Sequence, residues 1–205
     1  MLTEPKPRKW FEEWREPGRF FRAADEGVKI FFVADKAPPQ YLREAYVAGL
    51  FARIWRDDGG SCEVRVVPER EKFPDAQLRA GDASLNLEVT MALREGKRMF
   101  KEWRDLRAKA KQGEIVLAET SEQRQASARE AIPRVVGQKA DKHYAGQAPT
   151  TLLVCTDDGR TLSAEEMARL TEPWKDRFEA IYLLCGMDVV MAWPTLCVLR
   201  GKEPF

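Results

Sequence analysis

The sequence predicts an α/β domain in which a mixed β-sheet carries helices on its faces, and three observations predict it. Asp75 to Ala80 and Leu85 to Met91 alternate apolar and polar residues with the period of two expected of half-buried strands. Gln40 to Arg56 and Leu93 to Lys111 repeat apolar residues at helical spacing instead. The order along the chain is helix, three strands, two helices, strand, helix and strands, an interleaving that suits helices packed on a sheet.

Residues 1–27 are rich in charge and aromatics (Trp10, Phe11, Trp14, Phe20, Phe21), with Pro17-Gly18 as a break, and read as an appended arm or short helix ahead of a single domain spanning 28–205. Val28 to Val33 is a short apolar run that suits a strand, closed by Ala37-Pro38-Pro39. In the helix that follows, Leu42, Tyr46, Leu50 and Ile54 repeat, and Asp57-Asp58-Gly59-Gly60 is a stop signal. Cys62 to Val67 alternates as a strand. Gly81-Asp82 is a turn between the next two strands, of which the second places Leu85, Leu87, Val89 and Met91 on one side and Asn86, Glu88 and Thr90 on the other.

The helix from Leu93 to Lys111 has Phe100, Trp103, Leu106 and Ala110 as its buried stripe. A second helical stretch, Ser121 to Tyr144, contains Pro133, where a kink or restart is expected. Thr151 to Cys155 is an apolar strand, and Ser163 with Glu166 three residues later is a capping-box pattern. Short strands around Ile181 to Cys185, Val189 to Trp193 and Leu196 to Leu199 follow, with no internal repeat or second-domain linker.

A chain of 205 residues is long enough to bury its own core, and 44% apolar against 33% charged residues is an ordinary globular balance. Cys62, Cys155, Cys185 and Cys197 are scattered without a C-x-x-C pair and are expected as reduced core residues. Met1 to Trp10 has no apolar leader region and no run of 18 uncharged apolar residues occurs, which places the protein in the cytoplasm with no membrane partner. With a net charge of +1, attraction to a polyanion has to come from local clusters. One cluster runs from Arg94 to Lys111, where eight basic residues stand against three acids.

A single histidine, His143, and no cysteine cluster argue against a zinc site. There is no G-x-S-x-G elbow, Walker A loop or G-x-G-x-x-G fingerprint. Carboxylates are more informative. Hard cations such as Mg²⁺ are held by carboxylate oxygens, and a bound divalent ion polarises phosphate and acidifies water. Asp75 lies on the polar face of one strand and Glu88 on the polar face of the next, so a hairpin between them brings both to one side of the sheet.

Pro74-Asp75, then twelve residues, then Glu88-Val89-Thr90 resembles the PD-(D/E)XK nuclease motif. The resemblance covers roughly residues 40 to 156, where the element order also matches that family's core. It implies a three-layer α/β/α fold with a central mixed sheet, restriction endonuclease-like, and a Mg²⁺- (or Mn²⁺-) dependent hydrolase of phosphodiester bonds with DNA preferred over RNA. It also implies that Asp75 and Glu88 ligate metal. Glu44, on the helical side shared by Val47, Phe51 and Trp55, maps to the glutamate that the family often adds from its first core helix.

The departure is Thr90, which stands where the motif has lysine and cannot supply a positive charge. Relatives are known to take this lysine from a neighbouring element. Lys139 and Lys142 are the candidates, because Ile132, Val135, Lys139 and Lys142 continue one helical side; Lys97 is a weaker third. Gln77 and Thr90 share faces with the carboxylates, and Arg94, Lys97, Arg98 and Lys101 recur at helical spacing beside the motif strand, which suits substrate phosphates.

Each residue also has an ordinary use. Asp75 suits a turn after proline, Glu88 a solvated strand face, Glu44 the first turn of a helix, and the lysines and arginines solvated helix faces. The competing functions are therefore an inactive nuclease fold that binds nucleic acid or protein, and an interaction protein of an unrelated α/β fold. Oligomeric state, a homodimer included, is left open.

Overall fold

The computed structural model describes residues 4–55, 61–71, 73–93, 105, 108–109, 111–113, 119–142, 150–156, 162–185 and 195–200. Three helices come first: α1 (Arg8–Phe11), α2 (Pro17–Val33) and α3 (Gln40–Trp55). Strands β1 (Glu63–Val66), β2 (Ala76–Ala80) and β3 (Ala83–Met91) follow, then α4 (Ser121–Ala140), β4 (Thr150–Thr156), α5 (Ala164–Thr171), β5 (Ala180–Cys185) and β6 (Thr195–Arg200). The strands form one mixed sheet in chain order, antiparallel from β1 to β3, parallel from β3 to β5, and antiparallel again at β6. The predicted α/β class and mixed sheet are therefore present.

The strand expected at Val28 to Val33 is instead the second half of α2. Glu16 sets the helix start: its carboxylate accepts hydrogen bonds from the backbone N–H groups of Gly18 and Arg19 at 2.9 and 2.8 Å, and Pro17 occupies the first helical position, where a missing N–H costs nothing. What reads as a break is a start. Phe20, Ala23, Ala24 and Gly27 then face the core, Val28 and Phe31 extend the stripe, and Val33 is left 69% exposed. The boundary between residues 27 and 28 thus falls inside one helix.

Two glycines let α2 and α3 approach closely. A Cβ on Gly27 would lie 3.0 Å from the Leu42 methyl groups, and one on Gly49 would lie 3.0 Å from the Phe21 Cα. Burial at this seam involves the same cluster as the sheet: Phe11, Phe20, Leu42 and Phe51 pack with Val64, Leu78, Leu87 and Leu153. The stretch read as an arm supplies core side chains.

Helix α4 opens with the full capping box, in which the Gln123 N–H donates to Thr120 Oγ1 and the Thr120 N–H donates to Gln123 Oε1. It runs unbroken through Pro133 and ends at Ala140 rather than Tyr144. Packing explains the continuity: Ala128, Ala131, Ile132, Val135 and Val136 are all buried with Leu152 and Val154 of β4, and this burial outweighs one lost helical hydrogen bond. Ser163 caps α5 as expected, accepting from the Glu166 N–H at 3.1 Å.

Alternation in the central strands separates two apolar clusters. Leu153, Cys155, Tyr182 and Leu184 join the cluster of α1–α3, whereas Leu152, Val154, Ile181 and Leu183 join that of α4 and α5. Glu88 pairs with Leu152 and Thr90 with Val154, so both belong to the face on which α4 lies. Cys62 and Cys155 are buried and not joined in a disulfide. Among the described residues no helix is long and apolar enough to cross a membrane.

Candidate functional site

The candidate site arises where β3 outruns β2. Their antiparallel pairing ends with Ala76 opposite Leu87, while β3 continues to Met91 against β4. One further step of the same register places Asp75 opposite Glu88. Beyond that point, among the described residues, no strand pairs with this edge of β3, and the Asp75 side chain caps it: its Oδ2 accepts the Val89 N–H at 2.8 Å. A charged acceptor on a backbone donor is a strong hydrogen bond, so it fixes the Asp75 side chain.

Glu88 is almost fully buried, at 4% exposure. A carboxylate removed from water needs a counter-charge. Lys139 provides it from α4, donating to Glu88 Oε2 at 2.5 Å and lying 3.6 Å from Asp75 Oδ2. The helix carries this lysine inward because Ile132, Val135 and Val136, one to two turns earlier, are anchored on β4. Burial alone would lower the Lys139 pKa, but the charge of Asp75 and the hydrogen bond and charge of Glu88 overcome it, so the ammonium lies above its ordinary range.

Glu44, on α3, lies within electrostatic reach of Asp75 and Lys139. Burial first, and the charge of Asp75 second, push its carboxyl above the ordinary value; the Gln40 amide, which donates to Glu44 Oε1 at 2.7 Å, and the charges of Arg8 and Lys139 pull the other way. The structure therefore brings Asp75, Glu88 and Lys139 together, with Glu44 near enough to feel the charges of Asp75 and Lys139. Lys142 does not join them in the described structure: α4 ends at Ala140, and Lys142 lies exposed past the cap residue Asp141.

Gln77 sits one row from the carboxylates on the Glu88 face, accepting from Arg65 and donating to Asn86. Thr90 is half-buried on that face, two residues beyond Glu88. Arg94, Lys97, Arg98 and Lys101, with most of the helix expected from Leu93 to Lys111, lie outside the described residues, as do His143 and Val189 to Trp193. Arg8 and Arg65 adjoin this group without being marked by the sequence, whereas Trp14, which with Trp10 and Phe11 the sequence offers either for packing or for stacking on bases, lies against Arg65. The alternation of β1 could have put Arg65 on the Gln77 face, whereas nothing local marks Arg8.

Among the described residues, no three His, Cys, Asp or Glu side chains are grouped so as to hold a metal ion. In the arrangement described, the cation between the two carboxylates is the lysine ammonium. Compared with known proteins, the chain matches no family model, no curated protein and no solved structure.

Proposed function

We propose that the chain is a metal-dependent nuclease that hydrolyses phosphodiester bonds, in DNA rather than RNA, on a three-layer core of the restriction-endonuclease kind. The observation that carries this reading is the meeting of Asp75 and Glu88, from neighbouring strand positions, with the ammonium of Lys139. Two carboxylates and a lysine are what the PD-(D/E)XK pattern requires, and Lys139 supplies from α4 the charge that Thr90 lacks. The apolar clusters on the two faces of β4 and β5 support the layered core.

The donor chemistry suits Mg²⁺ or Mn²⁺. Such an ion is commonly held through one or two carboxylates, with water and substrate phosphate completing its shell, so Asp75 and Glu88 suffice as protein ligands and Glu44 completes or orients the site. When bound, the ion would polarise the phosphate and acidify the attacking water. The protein's own groups have distinct tasks. Lys139, held protonated, donates to a phosphate oxygen and stabilises charge as it develops. Glu44, with its raised pKa, is the carboxylate suited to accept a proton. Asp75, fixed by the Val89 N–H, does not have to reorganise.

Relaxation of supercoiled plasmid with Mg²⁺, abolished by EDTA and by Asp75→Ala, Glu88→Ala or Lys139→Met, is the expected result. Persistent failure across DNA and RNA substrates would end the nuclease reading. A second reading, the same fold as an inactive binding module, is favoured by the ammonium lying 2.5 Å from Glu88, where it competes with any metal. Calorimetric titration with Mn²⁺ separates the two, since the inactive module would give no binding heat that Asp75→Ala removes.

A further inference from the structure

On the sheet face that carries Glu88, four side chains from four adjacent segments form a lateral row. Arg15 and Val64 exchange backbone hydrogen bonds of 3.1 and 2.9 Å, an antiparallel bridge on the outer edge of β1. One step along that bridge sets Trp14 opposite Arg65; Arg65 lies opposite Gln77, and Gln77 opposite Asn86. The side chains are linked in the same order. The Arg65 guanidinium lies 4.8 Å from the Trp14 ring centroid, its Nε and Nη2 donate to Gln77 Oε1 at 2.9 and 2.6 Å, and Gln77 Nε2 donates to Asn86 Oδ1 at 2.9 Å.

The row adjoins the site, because Asn86 precedes Glu88 by two residues, roughly 7 Å along β3. One row further out, Arg79 places its guanidinium 4.3 Å from the same indole centroid. The charges in this patch differ in how they are balanced. Arg79 is paired with Glu63 at 2.7 Å, and both side chains remain over 40% exposed. Arg65 bonds a neutral amide and lies against an indole, and among the described residues no carboxylate forms an ion pair with it.

We propose that this row is a docking track for a single DNA strand, with a backbone phosphate on Arg65 and a base stacked on Trp14, leading toward the Asp75–Glu88 pair. The proposal rests on the nuclease reading for its direction toward that pair. A guanidinium fixed by an amide is a pre-positioned phosphate donor, and the flat indole, only partly buried, matches an unpaired base. A duplex keeps its base faces stacked internally and could use the arginine but not the indole.

The test is fluorescence anisotropy of a fluorescein-labelled oligothymidylate with the full chain in EDTA, so that cutting plays no part. Wild type should bind the single strand more tightly than a duplex of the same length. Arg65→Gln should weaken binding about tenfold and reduce the slope of log affinity against log salt by about 0.7, the contribution of one single-strand phosphate contact. Trp14→Leu should weaken binding without changing that slope. Arg65→Lys guards against a folding artefact, because it should retain the salt slope.

No wild-type binding, equal affinity for duplex, or wild-type binding by either Arg65→Gln or Trp14→Leu would overturn the proposal. If Arg65→Gln binds and cuts as wild type does, the track is refuted and the nuclease reading stands. If both variants lose binding but wild type never cuts with Mg²⁺, the track stands and the nuclease reading falls.

Discussion

Replacing Lys139 with methionine tests the central electrostatic group directly, because it keeps chain length and removes the charge. Glu88, at 4% exposure, and Asp75, whose side chain is 19% exposed, would then lose the ammonium they share. Breaking a buried ion pair by removing one partner costs about 3–5 kcal/mol; the partial exposure of Asp75 puts the expected loss near the lower end, about 3 kcal/mol. For a chain of this size that is a fall in Tm of roughly 6–12 °C. Circular-dichroism melts in EDTA measure it. Glu88→Gln in the same background should restore most of the loss, since a neutral amide needs no counter-charge, and Mg²⁺ should stabilise Lys139→Met more than wild type. Because the folded Lys139 pKa is raised, its contribution is fully present below the ordinary value of 10.5 and is lost as pH rises through the higher folded value. A variant melting within about 2 °C of wild type at neutral pH, too small a change for about 1 kcal/mol, would refute the reasoning.

Glu44→Gln should stabilise the protein at neutral pH. A carboxyl with a raised folded pKa costs stability once ionised, so the variant's advantage should vanish as pH falls below the ordinary value of 4.5, as urea denaturation at several pH values can check. Gly49→Ala should destabilise by about 1–3 kcal/mol, because its Cβ would sit 3.0 Å from the Phe21 backbone; a melt no lower than wild type would disprove the close α2–α3 seam. Gly137→Ala adds a Cβ 3.0 Å from the Trp174 ring while gaining about 1 kcal/mol of helix propensity. Stability should change little, but the small shift of α4 should lower the Lys139–Glu88 coupling measured by a double-mutant cycle.

The parts of this molecule that were legible beforehand are those whose geometry is local. The alternation of Leu85 to Met91 is set by strand backbone, and a short turn at Gly81 and Asp82 fixes the register that ends with Ala76 opposite Leu87, one residue from Asp75 and from Glu88. Lys139 is legible because Ile132 and Val135 mark the buried side of its helix; Lys142 is equivalent to it only for a helix that runs on past Ala140. Val28 to Val33 reads as a strand because its apolar residues satisfy either structure, and the contacts of α2 with α3, remote in sequence, decide for the helix.

The Trp14–Arg65–Gln77–Asn86 row fails to announce itself for a related reason. Its members are separated by 51, 12 and 9 positions, and the first link depends on a single bridge between Arg15 and Val64. No periodicity within one segment can encode which residues of separate strands stand side by side. If functional side chains here are arranged across the strands rather than along them, then shifting the register at the Arg15 bridge would disconnect Trp14 from Arg65 while leaving Asp75, Glu88 and Lys139 in place. The chemistry and the docking track would then be separable properties of one sheet face.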